Sequence, residues 1–196
     1  METFFDDEDY ETYLVLMHQW CNAAGVEVWA YCMMPNHVHL IVVPESEESL
    51  ARGIGEAHRR YTRHINFKKS WKGYLWQGRF ASFPMDEDYL LAACRYVELN
   101  PVRAKLAKCP EDYRWSSAKA HLLGVDDGLV KVKPMLDRVS NWRDLLASGE
   151  QALFDEVRKH ERTGRPLGGE DFILKMSAVI GRDLVKKKPG PKRNNN

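Results

Sequence analysis

From Val26 to Val43 the chain reads as two runs of β-forming residues joined by a turn, and no other stretch restricts the fold so tightly. The first run is Val26-Glu27-Val28-Trp29-Ala30-Tyr31-Cys32, and the second is His37-Val38-His39-Leu40-Ile41-Val42-Val43. Between them Met33-Met34-Pro35-Asn36 carries Pro-Asn turn chemistry, so the pair predicts a hairpin. Side chains alternate along a strand. His37 and His39 therefore share one face, while Val38, Leu40 and Val42 share the other and must be covered by something apolar.

The flanking sequence supplies helices for that purpose. Tyr10, Leu14, Met17 and Cys21 recur at helical spacing, predicting a helix from Asp9 to Cys21 that ends near Gly25 and opens with an acidic first turn. A second helix is expected from Ser49 to Phe67, with Leu50, Ile54, Ala57, Tyr61 and Ile65 on one face and Arg52, Arg59, Arg60 and Arg63 around it. Tyr74 to Phe83 reads as a further strand. Asp86 then caps a third helix through Tyr89, Leu90, Ala93, Tyr96, Val97 and Leu99, which Pro101 should stop near Asn100.

Beyond it the pattern predicts helix from Asp112 to Gly124, a loop at Asp126-Asp127-Gly128, and a short helix from Trp142 to Ala147. Two more helices, Gln151–His160 and Glu170–Ile180, are joined by Thr163 to Gly169, a helix-turn-helix outline with a long connector. The expected organisation is a core over 1–125, a helical C-terminal region over 126–185, and a disordered basic tail over 186–196. The fold class is α+β, an antiparallel sheet flanked by helices.

At 196 residues the chain is too short for a TIM barrel, and without an apolar run of about 18 residues it has no membrane span. Met1 to Asp9 shows no secretory signal, and Cys21, Cys32, Cys94 and Cys109 form no CxxC pair, so a cytoplasmic setting is expected. The net charge of +1 hides an asymmetry. All residues before Arg52 lack Lys and Arg and carry 10 acidic groups, whereas the remainder holds 29 basic against 18 acidic ones. A polyanion partner suits that remainder, nucleic acid first.

Two imidazoles on one strand face, about 6.6 Å apart at the backbone, can converge on one divalent cation. Read alone, His-x-His more readily fits two surface or satisfied core histidines, so a third ligand and a reacting group are needed. Tyr96 and Asn100, at i and i+4, are neighbours on one helical face. An amide oxygen with two histidines leaves positions open for water and phosphate and suits Mg²⁺ or Mn²⁺, with Tyr96 free to act as nucleophile. Read alone again, these are an ordinary core tyrosine and a helix-end asparagine.

Four ordered motifs change that balance: Asn36-His37-Val38-His39-Leu40, Leu75-Trp76-Gln77-Gly78-Arg79-Phe80, Arg95-Tyr96-Val97-Glu98-Leu99-Asn100-Pro101-Val102-Arg103-Ala104 and Tyr113-Arg114-Trp115-Ser116-Ser117. Together they resemble the REP-associated tyrosine transposases, members of the HUH single-tyrosine nucleases. The resemblance spans residues 3–185 and implies an antiparallel sheet of ferredoxin-like or RRM-like type, the His-x-His pair on a central strand and the tyrosine helix across it. It implies that His37, His39 and Asn100 hold Mg²⁺ or Mn²⁺ and that Tyr96 attacks single-stranded DNA beside palindromic hairpins, giving a 5′-phosphotyrosine. Arg59, Arg60, Arg63, Arg79, Trp76, Arg103 and Arg165 are the matching candidates for DNA contact, in a monomer or homodimer associated with the nucleoid. Members usually begin with a strand ahead of the Phe4-Phe5 stretch, and here only three residues precede Phe4. That departure raises the alternative of a hairpin-binding protein that does not cut.

Overall fold

The computed structural model describes residues 2–148 and 151–185, and the hairpin lies at its centre. Strand β1 (Val26–Met34) pairs antiparallel with β2 (His37–Pro44), turning at Pro35 and Asn36. Helices cover both faces, which makes the fold α+β as expected. The register slips between Val28 and Ala30, leaving Trp29 as an extra residue. This bulge resets the alternation, so Val26 and Val28 reach the same core as Tyr31 and Met33.

That first core is closed by α1 (Asp7–Ala23) and by α2 (Glu56–Lys69), which follows a π-turn at Ala51–Gly55. The Asp6 carboxylate caps α1 by accepting from the Asp9 N–H at 3.1 Å, and Asp7, Glu8 and Asp9 suit the positive end of the helix dipole. Its buried stripe is Tyr10, Tyr13, Met17 and Cys21. Fully burying a side chain such as Met17 contributes about 1.5–3 kcal/mol relative to exposure. Gly25 then turns the chain into β1 at φ +63°, where a Cβ would lie 2.2 Å from the Glu45 carboxylate.

The opposite face packs Ala30, Cys32, Met34 and Ile41 against α3 (Glu87–Arg103), α6 (Trp142–Ala147) and α7 (Gln151–Thr163). Helices α4 (Ala118–Leu123), α5 (Lys133–Leu136) and α8 (Glu170–Ile180) complete the set. None of the described helices is long and apolar enough to cross a membrane. The expected tail over 186–196 lies outside the described residues.

Three expectations are corrected. Tyr74–Phe83 is a run of bends and irregular backbone, because no sheet edge receives it and Leu75, Trp76 and Phe80 are satisfied by packing on the first core. Pro101 does not end α3, which runs to Arg103. Proline deprives only the Val97 carbonyl of its donor, while Asn100 O and Pro101 O still accept from Ala104 and Leu106 at 2.9 and 2.8 Å. The helix expected from Asp112 is a 3₁₀ turn at Pro110–Asp112 followed by α4, because residues between them serve the free edge of β1. Met33 N–H donates to Trp115 O at 2.8 Å and Ser117 N–H to Tyr31 O at 3.0 Å.

Asp86 ties the C-terminal helices to α3. One of its oxygens caps α3 by accepting from Tyr89 N–H at 3.2 Å, and the other accepts from Gly169 N–H at 2.7 Å. Leu167 pairs beside it, donating to Pro84 O and accepting from Asp86 N–H. This clasp holds the connector and lays α7 along α3.

Candidate active site

The strand alternation delivers His37 and His39 to one face, with ring centroids 4.7 Å apart and nearly perpendicular rings. Their Nε2 atoms stand 3.0 Å from each other. Each Nδ1 is tied elsewhere: that of His37 lies 2.6 Å from Asn36 Oδ1, and that of His39 lies 3.0 Å from Glu161 Oε1. Both of these partners are acceptors, so each neutral ring carries its hydrogen on Nδ1 and aims a lone pair from Nε2 toward the other ring. Two lone pairs at that separation repel unless a proton or a cation lies between them. Burial and then the neighbouring His39 charge push the His37 pKa down to about 4, which disfavours a proton there. The donor set therefore fits a divalent cation.

Tyr96, on α3, completes the group. It is 4% exposed, its ring meets that of His39 edge-on at 5.7 Å, and its hydroxyl donates to Glu161 Oε2 at 3.1 Å. The Arg103 guanidinium lies 4.8 Å from the Tyr96 ring centre, and Phe154 packs against the same ring. Burial raises the Tyr96 pKa, with further upward contributions from the Glu161 charge and hydrogen bond, against Arg103 and Arg158. For Glu161 burial acts upward, but the hydrogen bond and charge of His39, the Tyr96 hydrogen bond and the His37 charge outweigh it and hold the carboxyl below its ordinary value. Asn100 follows Tyr96 by one turn, and its amide nitrogen is buried without a hydrogen-bond partner.

The structure thus brings His37, His39, Tyr96 and Arg103 together. It places the α2 arginines elsewhere, since α2 covers the opposite face of the sheet. Arg59 and Arg60 both bind Glu56, and Arg60 also lies over Trp20. Arg63, Arg79 and Arg165 are exposed. Trp76 is half-buried, stacked on His58 at 4.2 Å with its indole N–H directed to His58 O, so it is occupied in packing. Trp115 is buried and stacked on Tyr10.

Glu161, which touches both His39 and Tyr96, is a candidate site residue absent from the sequence-based set. Its signal was present: Phe154, Val157 and Glu161 stand at i, i+3 and i+7, so a carboxylate occupies the inward stripe of α7.

A second donor group, Cys94, Glu98 and His121, is fully buried with ligand atoms within 4.8 Å of one another, a set that could hold a metal ion. Its carboxylate is already filled, however. Glu98 accepts from Ser117 Oγ at 2.6 Å, His121 Nδ1 at 2.6 Å and Trp142 Nε1 at 2.9 Å, and burial followed by the Glu98 charge keeps the Cys94 thiol protonated. This group joins α3, α4 and α6 as a hydrogen-bonded hub.

A Haemophilus influenzae protein named "Putative REP-associated tyrosine transposase" is 29% identical over 110 residues, covering 50% of this chain and 62% of that protein. The chain thus spans less than two thirds of that relative's length. No solved structure matches the chain. The family described as "Transposase IS200 like" matches residues 2–100, a stretch that contains His37, His39, Tyr96 and Asn100 together, and the chain belongs to that family.

Proposed function

We propose that the chain is a metal-dependent, single-tyrosine DNA endonuclease and strand transferase that cuts and rejoins single-stranded DNA beside palindromic hairpins. The observation that carries this reading is the convergence of two Nε2 atoms 3.0 Å apart with a phenol packed on one of the rings. His37 and His39, with Asn100 as third ligand, would hold Mg²⁺ or Mn²⁺, whose contribution when bound is to polarise the scissile phosphate.

The rest of the chemistry falls to this chain's own side chains. The Tyr96 oxygen attacks phosphorus as it gives up its proton, the bond to the 3′ oxygen breaks, and that oxygen takes a proton from water to leave as a hydroxyl while the 5′ phosphate stays on tyrosine. Glu161 already accepts the phenolic hydrogen bond, so an acceptor for the proton stands in place. Arg103 sets positive charge beside the reacting phosphate. The phosphotyrosine conserves the energy of the broken bond, so a 3′-hydroxyl can return and rejoin the strands without a nucleotide cofactor. The working partner is single-stranded and hairpin DNA in the nucleoid, met by one chain or a homodimer.

One observation favours a second reading. Tyr96 is 4% exposed beneath Phe154, Arg103 and Glu161, as suits a protein that binds hairpins without cutting them. The two readings differ in one product. Incubation with a hairpin oligonucleotide bearing a randomised single-stranded flank, in Mn²⁺, should yield a protein–DNA adduct that survives boiling in detergent, absent in Tyr96→Phe and in EDTA. Tight hairpin binding with no adduct establishes the second reading.

A further inference from the structure

Large aromatic side chains are costly to leave in water, and this protein hides nearly all of its own. Among the described residues only Phe67, Trp71 and Tyr74 are classed as exposed aromatics, at 90%, 45% and 95%, and all fall within one short stretch. The surrounding sequence is unusual in charge as well. From residue 57 to 85 there are seven Lys or Arg and no Asp or Glu.

The stretch is held in shape. Ser70 ends α2 in the left-handed region at φ 56°, Trp71 N–H donates to Asn66 O at 2.9 Å, and the Asn66 amide donates to Gly73 O at 2.9 Å. Trp71 also rests edge-on against Phe5 at 5.6 Å. The loop is therefore fixed by backbone and amide hydrogen bonds while its rings face outward, so little ordering is needed on binding. Cations stand beside the rings. Arg63 precedes Phe67 by one helical turn, and neither Arg63 nor Lys72 makes an ion pair among the described residues. Lys69 lies 4.3 Å over the Phe5 ring, whereas Lys68 is engaged by Asp6 and Asp9.

We propose that Phe67, Trp71 and Tyr74, flanked by Arg63, Lys69 and Lys72, form a platform on which unpaired bases of single-stranded DNA stack while the cations hold the intervening phosphates. Aromatic faces accept any base, and free cations follow a backbone without reading sequence. Among the described residues no exposed large aliphatic side chain falls between residues 57 and 85, which sets this stretch apart from an apolar protein-docking groove. The inference rests on the DNA-processing reading above and deepens it. Because α2 covers the sheet face opposite the histidines, the platform would grip the strand away from the scissile phosphate.

The test compares a short oligothymidylate with an abasic oligonucleotide of the same length and charge, by fluorescence anisotropy. Wild type should bind the thymidylate at least about tenfold more tightly than the abasic strand. The Phe67→Ala/Trp71→Ala/Tyr74→Ala variant should lose that preference, and Phe67→Tyr should keep it. Phe67→Ala/Tyr74→Ala, confined to the two most exposed rings, gives the same reading should the triple variant unfold. Arg63→Gln/Lys72→Gln should weaken both ligands and lower the log–log salt slope by about 1.4. Equal binding of both strands by wild type, or a preference that survives loss of the rings, overturns the platform. So does a dimer, seen by sedimentation, that the triple variant dissociates without changing its DNA preference. If the Tyr96 adduct still forms in those cases, the endonuclease reading stands without the platform. Failure to bind any DNA removes both.

Discussion

Replacing Glu161 by glutamine should weaken the metal site without touching a metal ligand. The carboxylate serves two donors at once, His39 Nδ1 at 3.0 Å and the Tyr96 hydroxyl at 3.1 Å. A glutamine has one accepting oxygen, so one of these donors must face an amide N–H instead. If His39 loses its acceptor, its ring is free to turn or to move its hydrogen to Nε2, and the lone pair aimed at the cation is lost part of the time. Outer partners of this kind are worth about 10–100-fold in metal affinity, or about 1.4–2.7 kcal/mol. The glutamine keeps the size of the side chain it replaces, at a position about a third exposed, so the fold should survive. Titration calorimetry with Mn²⁺ on wild type and Glu161→Gln reads the effect directly, with His39→Ala as the reference for a destroyed site. Equal affinities for wild type and Glu161→Gln would mean that the Glu161 contact is incidental to the histidine's orientation.

Other consequences follow from buried groups elsewhere. His58, stacked on Trp76 and hydrogen-bonded to the Tyr13 hydroxyl at 2.9 Å, has its pKa pushed down by burial to about 4. The unfolded ring, with a pKa near 6.5, takes up a proton first as pH falls, so this group alone should lower stability by about 2 kcal/mol between pH 7.5 and 5. Urea unfolding at the two pH values measures the total loss, to which His37 also contributes, and His58→Gln should reduce it by about 2 kcal/mol; an unchanged pH slope in the variant would assign the effect elsewhere. Gly168→Ala would place a Cβ 2.4 Å from the Phe172 ring and 2.6 Å from an Asp86 oxygen. It should cost about 1–3 kcal/mol by forcing Asp86 off its two partners, read as a lower midpoint in the same assay, and a wild-type midpoint would show the clasp to be dispensable.

The parts legible in the sequence are those set by local periodicity. Alternation through His37-Val38-His39 was enough to place both imidazoles on one face, and the spacing of Tyr10, Met17 and Cys21 marked the buried stripe of α1. Tyr74–Phe83 misleads because β propensity records fitness for a half-buried surface, and here Leu75 and Trp76 find that surface without a partner strand. The edge of β1 is completed by Trp115 and Ser117, which lie far along the chain from it and carry no periodic signature of that role. Glu161 illustrates the same limit. Its place on the inward stripe of α7 is readable, but its meeting with His39 and Tyr96 depends on the Asp86 clasp and on α7 lying along α3, neither of which a local pattern specifies.

If the imidazole pair and the Tyr96 phenol form one reaction centre, the attacked strand must end up on that phenol. The most direct measurement uses the hairpin substrate with Mn²⁺, labelled at either end, followed by peptide mapping of any protein-bound DNA by mass spectrometry. The 3′-labelled segment should stay on the protein, attached at Tyr96, while the 5′-labelled segment is released with a free 3′-hydroxyl, and His37→Ala and His39→Ala should abolish the attachment. Attachment at another residue, retention of the 5′-labelled segment instead, or cleavage that persists in Tyr96→Phe would rule out a shared reaction centre.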